Sequence, residues 1–178
     1  MQLHVIGNGP SNSLFDAQYG YVMACNIPEH NHRFDAISAI DARLFRYAKE
    51  HGYVFKKPVY TMQTHVNWAK KANLSGTFIP QYVEKHRYNS GHHAVEYFST
   101  RPNVAVIHIW GFDSMWSDNL TSEMDVKIKR PARPNLNAQW RPHWINIFAK
   151  HSMIKYIVHK PSGTKDIDYG QNCKYENH

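Results

Sequence analysis

Gly7-Asn8-Gly9-Pro10-Ser11 is the stretch whose residue types and spacing speak most directly of chemistry. Two glycines admit positive φ and close backbone approach, an asparagine amide both donates and accepts, and a serine hydroxyl opens the segment that follows. Placed directly after a strand, such a turn can aim backbone N–H groups at an anion, which is phosphate-binding geometry. It is neither the GxGxxG fingerprint nor a P-loop, because a third glycine and a GK[ST] ending are both missing. An ordinary strand-to-helix turn is the alternative that spacing leaves open.

The other chemistry-bearing residues are histidines and basic side chains. His30-Asn31-His32 puts two imidazoles on one face of an extended segment, but no nearby acid or cysteine completes a tetrahedral set, so an exposed loop is the expected reading. The adjacent His92 and His93 point to opposite sides of a strand and, with His86, read as incidental or substrate-facing rather than as ligands. No metal ligand is assigned. Between Val126 and Lys165 there is no acidic residue, while Lys127, Lys129, Arg130, Arg133, Arg141, Lys150, Lys155, Lys160 and Lys165 all fall there. A solvated basic face and a site for phosphates or a polyanion are both compatible with that window.

The elements that must position these groups follow from hydrophobic pattern and breakers. Leu3 to Ile6 is a short strand feeding the glycine turn; Tyr21–Cys25, Phe34–Ile40 and Val59–Met62 are further strands, and Thr77–Ile79 is a short fifth. Asp41 is placed as N-cap of a helix through about His51, and helices are expected around 66–72 and 90–98. Val104 to Trp110 is the strongest strand, apolar enough to be central. From Ser114 to Arg141 the pattern is aperiodic and proline-bearing, which predicts a long functional loop, or lid. A helix over 144–151, a strand over 153–158 and a polar tail over 161–178 complete the chain. Alternating strands and helices predict one α/β domain over 1–160, with a mostly parallel sheet covered by helices on both faces. In such sheets ligands bind beyond the carboxyl ends of the strands.

Composition sets outer bounds. The 178 residues, 42% hydrophobic and 13% aromatic, suffice for a core, and 21 Lys+Arg against 14 Asp+Glu leave an excess of seven positive charges that favours an anionic partner. Cys25 and Cys173 lie far apart and outside any CxxC pattern, which fits a reducing cytoplasm. With no signal-peptide pattern and no apolar run near the ~20 residues of a spanning helix, a soluble cytoplasmic protein is expected.

GNGPS after an N-terminal strand resembles the opening motif of the bacterial sialyltransferases, which have a Rossmann-like fold; related turns occur in motility-associated glycosyltransferases and archaeal pterin diphosphokinases. Cys25-Asn26 after the second strand, Asn89-Ser90-Gly91 opening a helix and Trp110-Gly111-Phe112-Asp113 ending the strong strand follow in the family's order, over roughly residues 2 to 113. The resemblance implies a metal-independent transferase that needs no cofactor beyond its substrate, a cytidine monophosphate sugar, with a carbohydrate acceptor. It implies that Asn8, Gly9 and Ser11 meet donor phosphate or ribose, that Asn26 lies beside that phosphate, that Ser90 and Gly91 meet the cytidine side, and that Gly111 and Asp113 border base and ribose. His143, before the last helix, is the implied general base. The family holds the leaving phosphate with lid tyrosines; the 114–141 stretch has none, and Arg130, Arg133 or Arg141 are the expected substitutes.

The chain departs from the family in carrying Asn12 where leucine follows GNGPS and in lacking an asparagine within Thr61-Met62-Gln63-Thr64. Other readings therefore stay open: a nucleotide-binding protein without turnover, a Mg²⁺-dependent diphosphokinase holding metal through Asp113 and a partner carboxylate, or a nucleic-acid binder. The last draws on a pI near 9.4 and on the interleaving of Trp140 and Trp144 with arginines. The sequence leaves the oligomeric state open.

Overall fold

The computed structural model describes residues 1–118, 122–129 and 136–178. Eight strands form a single sheet: β1 (Gln2–Ile6), β2 (Tyr21–Cys25), β3 (Ala36–Ser38), β4 (Val59–Met62), β5 (Phe78–Tyr82), β6 (Val106–Trp110), β7 (Lys155–Lys160) and β8 (Cys173–Asn177). Their spatial order is β5-β4-β3-β2-β1-β6-β7-β8, and every neighbouring pair is parallel. The chain starts at β1, winds outward to β5, then returns to the other side of β1 as β6. This doubly wound, Rossmann-like α/β arrangement puts the topological switch point between β1 and β6.

Five α-helices are described: α1 (Ala42–Glu50), α2 (Gln63–Lys71), α3 (Ser90–Ser99), α4 (Glu123–Lys127) and α5 (Leu136–Lys150). Side-chain alternation along the strands divides the core. Leu3, Val5, Ile107, Ile109, Tyr156 and Val158 pack against Val95 and Phe98 of α3 and Trp144, Ile147 and Phe148 of α5. On the other face Ile37 and Val59 meet Leu44, Phe45 and Ala48 of α1 and Ala69 of α2, while Ile6, Val22 and Trp110 pack with Phe15 from the segment after the first turn. Asp41 caps α1 as expected, accepting from the Arg43 N–H.

Two expectations need correction. The 114–141 stretch is not a continuous loop: a 3₁₀ turn over Asp113–Met115 follows β6, Ser122 caps α4 in a capping box with Asp125, and α5 begins at Leu136 rather than near Trp144. Helix α5 runs through Pro142, whose missing N–H breaks the sequence pattern without ending the helix. Arg130 and Arg133 lie outside the described residues.

The segment 161–178 is not a loose tail. Its strand β8 pairs with β7 from Tyr156↔Cys173 to Lys160↔Asn177. Tyr169 is 2% exposed and donates its hydroxyl to Met115 O (2.6 Å), and the Asn172 carboxamide donates to the carbonyls of Phe148, His151 and Ile154 at the end of α5. Lys160, 1% exposed, turns its ammonium onto Thr164 O (2.7 Å), Thr164 Oγ1 (3.0 Å) and Asp166 Oδ1 (2.5 Å). No described helix is long and apolar enough to cross a membrane.

Candidate functional site

A cleft of about 340 Å³ opens at the carboxyl edge of the sheet, over the switch point. It is lined by Gly7, Asn8 and Gly9 after β1, Cys25 and Asn26 at the end of β2, Ile40 to Arg43 leading into α1, Arg87 to Gly91 leading into α3, and Gly111 to Ser114 after β6. Ser122 and Asp125 of α4 and Leu136, Asn137, Gln139 and Trp140 of α5 close its rim. The residues picked out in sequence therefore converge: Asn8, Gly9, Asn26, Ser90, Gly91, Gly111 and Asp113 all line one cleft.

Their local roles differ from a phosphate cradle made by the first turn. The Gly7 N–H donates to Trp110 O (2.7 Å) and the Gly9 N–H to Gly111 O (2.9 Å), extending the β1–β6 pairing past the strands. The glycines are required for that approach: a Cβ on Gly7 would stand 2.5 Å from Gly111 O, and one on Gly9 would stand 2.2 Å from Asp113 Oδ1. Gly111, at φ 68°, adopts the left-handed backbone that glycine enters freely. Asn8 bridges protein to protein, donating Nδ2 to Ile27 O (3.0 Å) and accepting from the Glu29 N–H (3.3 Å). Glu29 in turn accepts from the Met124 N–H (2.9 Å), so Asn8 and Glu29 tie the first turn to α4 at the rim.

Ser11 is buried beneath the cleft and does not line it. Its N–H (3.1 Å) and hydroxyl (2.7 Å) both donate to Asp113 Oδ1, 102 residues away. Burial raises the Asp113 pKa, and the Ser11 hydrogen bonds pull the other way. The carboxylate considered as a metal ligand is thus occupied in anchoring the turn.

The start of α3 adds backbone amides to the cleft. Asn89 caps this ten-residue helix, its side chain accepting from the His92 N–H (2.9 Å) while its own N–H donates to His92 Nδ1 (3.0 Å). Ser90 and Gly91 occupy the first turn, where backbone N–H groups have no intrahelical acceptor and the helix dipole favours negative charge. The Ser90 hydroxyl donates to Asn26 Oδ1 (2.8 Å), which positions Asn26 at its left-handed φ of 61°. Exposed Arg87 lies at the same end of the helix and has no ion-pair partner among the described residues. Arg43, the second lining guanidinium, is forked onto Asp41 at 3.0 and 2.8 Å.

His143 and Arg141 are not among the lining residues. The His143 ring lies 5.1 Å from that of Tyr88, a lining residue, and 5.4 Å from His92. Its pKa is lowered by burial, then by Arg87 and His86, so the neutral imidazole prevails at pH 7. Arg141 is turned to Ser114 O (3.3 Å) and Asp118 Oδ1 (2.8 Å). Lys127 pairs with Glu29 and Glu123, Lys150 with Glu96 and Lys160 with Asp166, so these three cations of the acid-free window are matched by acids. Arg43, Arg87 and Tyr88 were missed in sequence, where only position at a helix start marks the first two; Trp140 was singled out there as a stacking residue, but for nucleic acid. No family model matches the chain, and neither a curated protein nor a solved structure matches it.

Proposed function

We propose that the cleft holds a nucleotide, with its phosphate at the first turn of α3 between the Ser90 and Gly91 amides and the Arg87 guanidinium. The observation that carries this reading is a helix start whose Ser90 and Gly91 N–H groups have no intrahelical acceptor, meeting at the switch point of a parallel sheet an arginine with no ion-pair partner among the described residues. Tyr88 and Trp140 are aromatic residues in the cleft lining, beside which a base or sugar would lie. The donor class comes from the similarity of Gly7–Ser11, Asn26, Ser90–Gly91 and Gly111–Asp113 to the sialyltransferase pattern: a cytidine monophosphate sugar, with transfer to a carbohydrate hydroxyl. His143, neutral at pH 7, serves as the base that deprotonates that hydroxyl once the acceptor brings it within reach past Tyr88.

Calorimetry with CMP, CDP, UDP, GDP and ATP, with and without Mg²⁺, tests the reading. CMP should bind without Mg²⁺, and Arg87→Ala should weaken it by ~1.5–3 kcal/mol, as expected for a hydrogen bond to a charged group. No CMP binding, or an unchanged affinity in Arg87→Ala, rejects the site. His143→Ala should keep CMP affinity and lose turnover of a CMP-sugar. A nucleotide-binding protein without turnover is the second reading, favoured by the position of His143 behind Tyr88; CMP binding by a wild-type chain that transfers no sugar selects it.

A further inference from the structure

Away from the cleft, on the sheet face opposite α3 and α5, a row of histidines crosses four strands. His4 of β1 and His108 of β6 are in register and stacked at 4.7 Å. His108 Nδ1 lies 2.9 Å from His159 Nε2 on β7, and His159 Nδ1 lies 3.0 Å from Nε2 of His178, the residue after β8. Glu176, the register partner of His159, brings Oε2 to 3.9 Å from the same Nδ1.

We propose that His159 Nδ1, His178 Nε2 and Glu176 Oε2 form a binding site for a divalent transition metal ion of the zinc type, clamping β8 to β7. The three ligand atoms lie within 4.8 Å of one another. A tetrahedral ion with bonds of about 2.0–2.1 Å spaces its ligand atoms about 3.3 Å apart. The observed 3.0 and 3.9 Å lie on either side of that value, so small rotations of two exposed side chains close the set. Glu176 and His178 are two apart on one strand and therefore share a face.

The orientation of His159 is built in. It is 3% exposed, and its ring lies flat on Trp110 at 3.3 Å with an interplanar angle of 4°. A neutral imidazole has one N–H and one lone pair. When Nε2–H of His159 donates to His108 Nδ1, the lone pair of Nδ1 faces His178 and Glu176. That is the outer hydrogen bond that orients a metal-bound imidazole. Two imidazoles and one carboxylate select zinc, cobalt, nickel or copper over magnesium or calcium, and three protein ligands leave a fourth position for water. This site is independent of the nucleotide reading.

The test uses the full chain, freed of metal with a chelator and titrated with Zn²⁺ by calorimetry and with Co²⁺ in visible absorption. One equivalent should bind per chain, with the intense bands of four-coordinate cobalt. His178→Ala and Glu176→Gln, both exposed and expected to fold, should each weaken Zn²⁺ by about tenfold or more, on the scale known for partners of metal ligands. The double variant His30→Ala/His32→Ala should bind as the wild type does. Absence of a stoichiometric site, an affinity unchanged in His178→Ala, or a loss in the His30/His32 variant instead would each overturn the assignment.

Discussion

At the scale of single residues, the first turn is an anchor. Gly7 and Gly9 let two backbones meet, and Ser11 satisfies a carboxylate that would otherwise be buried alone. Gly7→Ala forces a Cβ against a backbone carbonyl that cannot rotate aside, and should cost ~1–3 kcal/mol, the usual penalty of overpacking. A shift of the urea midpoint at constant slope would register it; a variant as stable as the parent contradicts the packing role. The spacing of GNGPS announced a tight turn and left open whether that turn meets an anion or only joins a strand to the next segment. Which N–H groups remain free depends on pairings to residues about a hundred positions away, such as Gly9 to Gly111 and Ser11 to Asp113, and no local pattern encodes them.

Among elements, legibility followed burial. Strand β6, inside the sheet, declares itself by a nearly continuous apolar run, and the rule that sites sit after strand ends points to Asn8, Gly9, Asn26, Gly111 and Asp113 of the cleft, whereas Ser90 and Gly91 open a helix and were reached through the resemblance. Strand β8 is an edge strand with a polar CKYEN sequence that owes its place to a ladder on one side and to Tyr169 and Asn172 before it. The first half of α5 was hidden by Pro142, and Arg43 and Arg87 were hidden because a helix start has no signature for what it faces. Asn172→Ala should test how far the last segment supports α5. It strips a donor from three carbonyls at the helix end and should cost ~1–3 kcal/mol in denaturant unfolding. No loss would mean that water replaces the carboxamide at no cost.

For the whole molecule, the histidines decide how stability depends on pH. Burial, first among the causes, lowers the pKa of His4 and of His93 to about 4 and that of His92 well below its ordinary value. Between about pH 6.5 and pH 4 the unfolded chain therefore takes up protons that the folded chain refuses. Stability is complete above about pH 6.5 and falls as the pH drops, by up to ~1.4 kcal/mol per pH unit for each such histidine. Urea unfolding in the presence of a chelator at pH 7.5, 6.0 and 5.0 should show the decline; a flat or rising profile refutes it. Ion pairs leave the excess of seven positive charges unchanged but decide where it lies: Lys127, Arg141, Lys150 and Lys160 are each matched by an acid, so the net charge resides on other cations.

The seam between β1 and β6 also governs the order of events in folding. Gln2 pairs with Val106 across more than a hundred residues, whereas β2 to β5 add to β1 in sequence order. Closing a loop of that length precedes any reward from the pairing, so the seam belongs among the slow, non-local steps. The cleft floor is made of the same pairing, through Gly7, Gly9 and Gly111. A half-formed sheet therefore has no binding site to offer, and a ligand of the cleft acts on the completed fold alone, slowing its loss without hastening its formation.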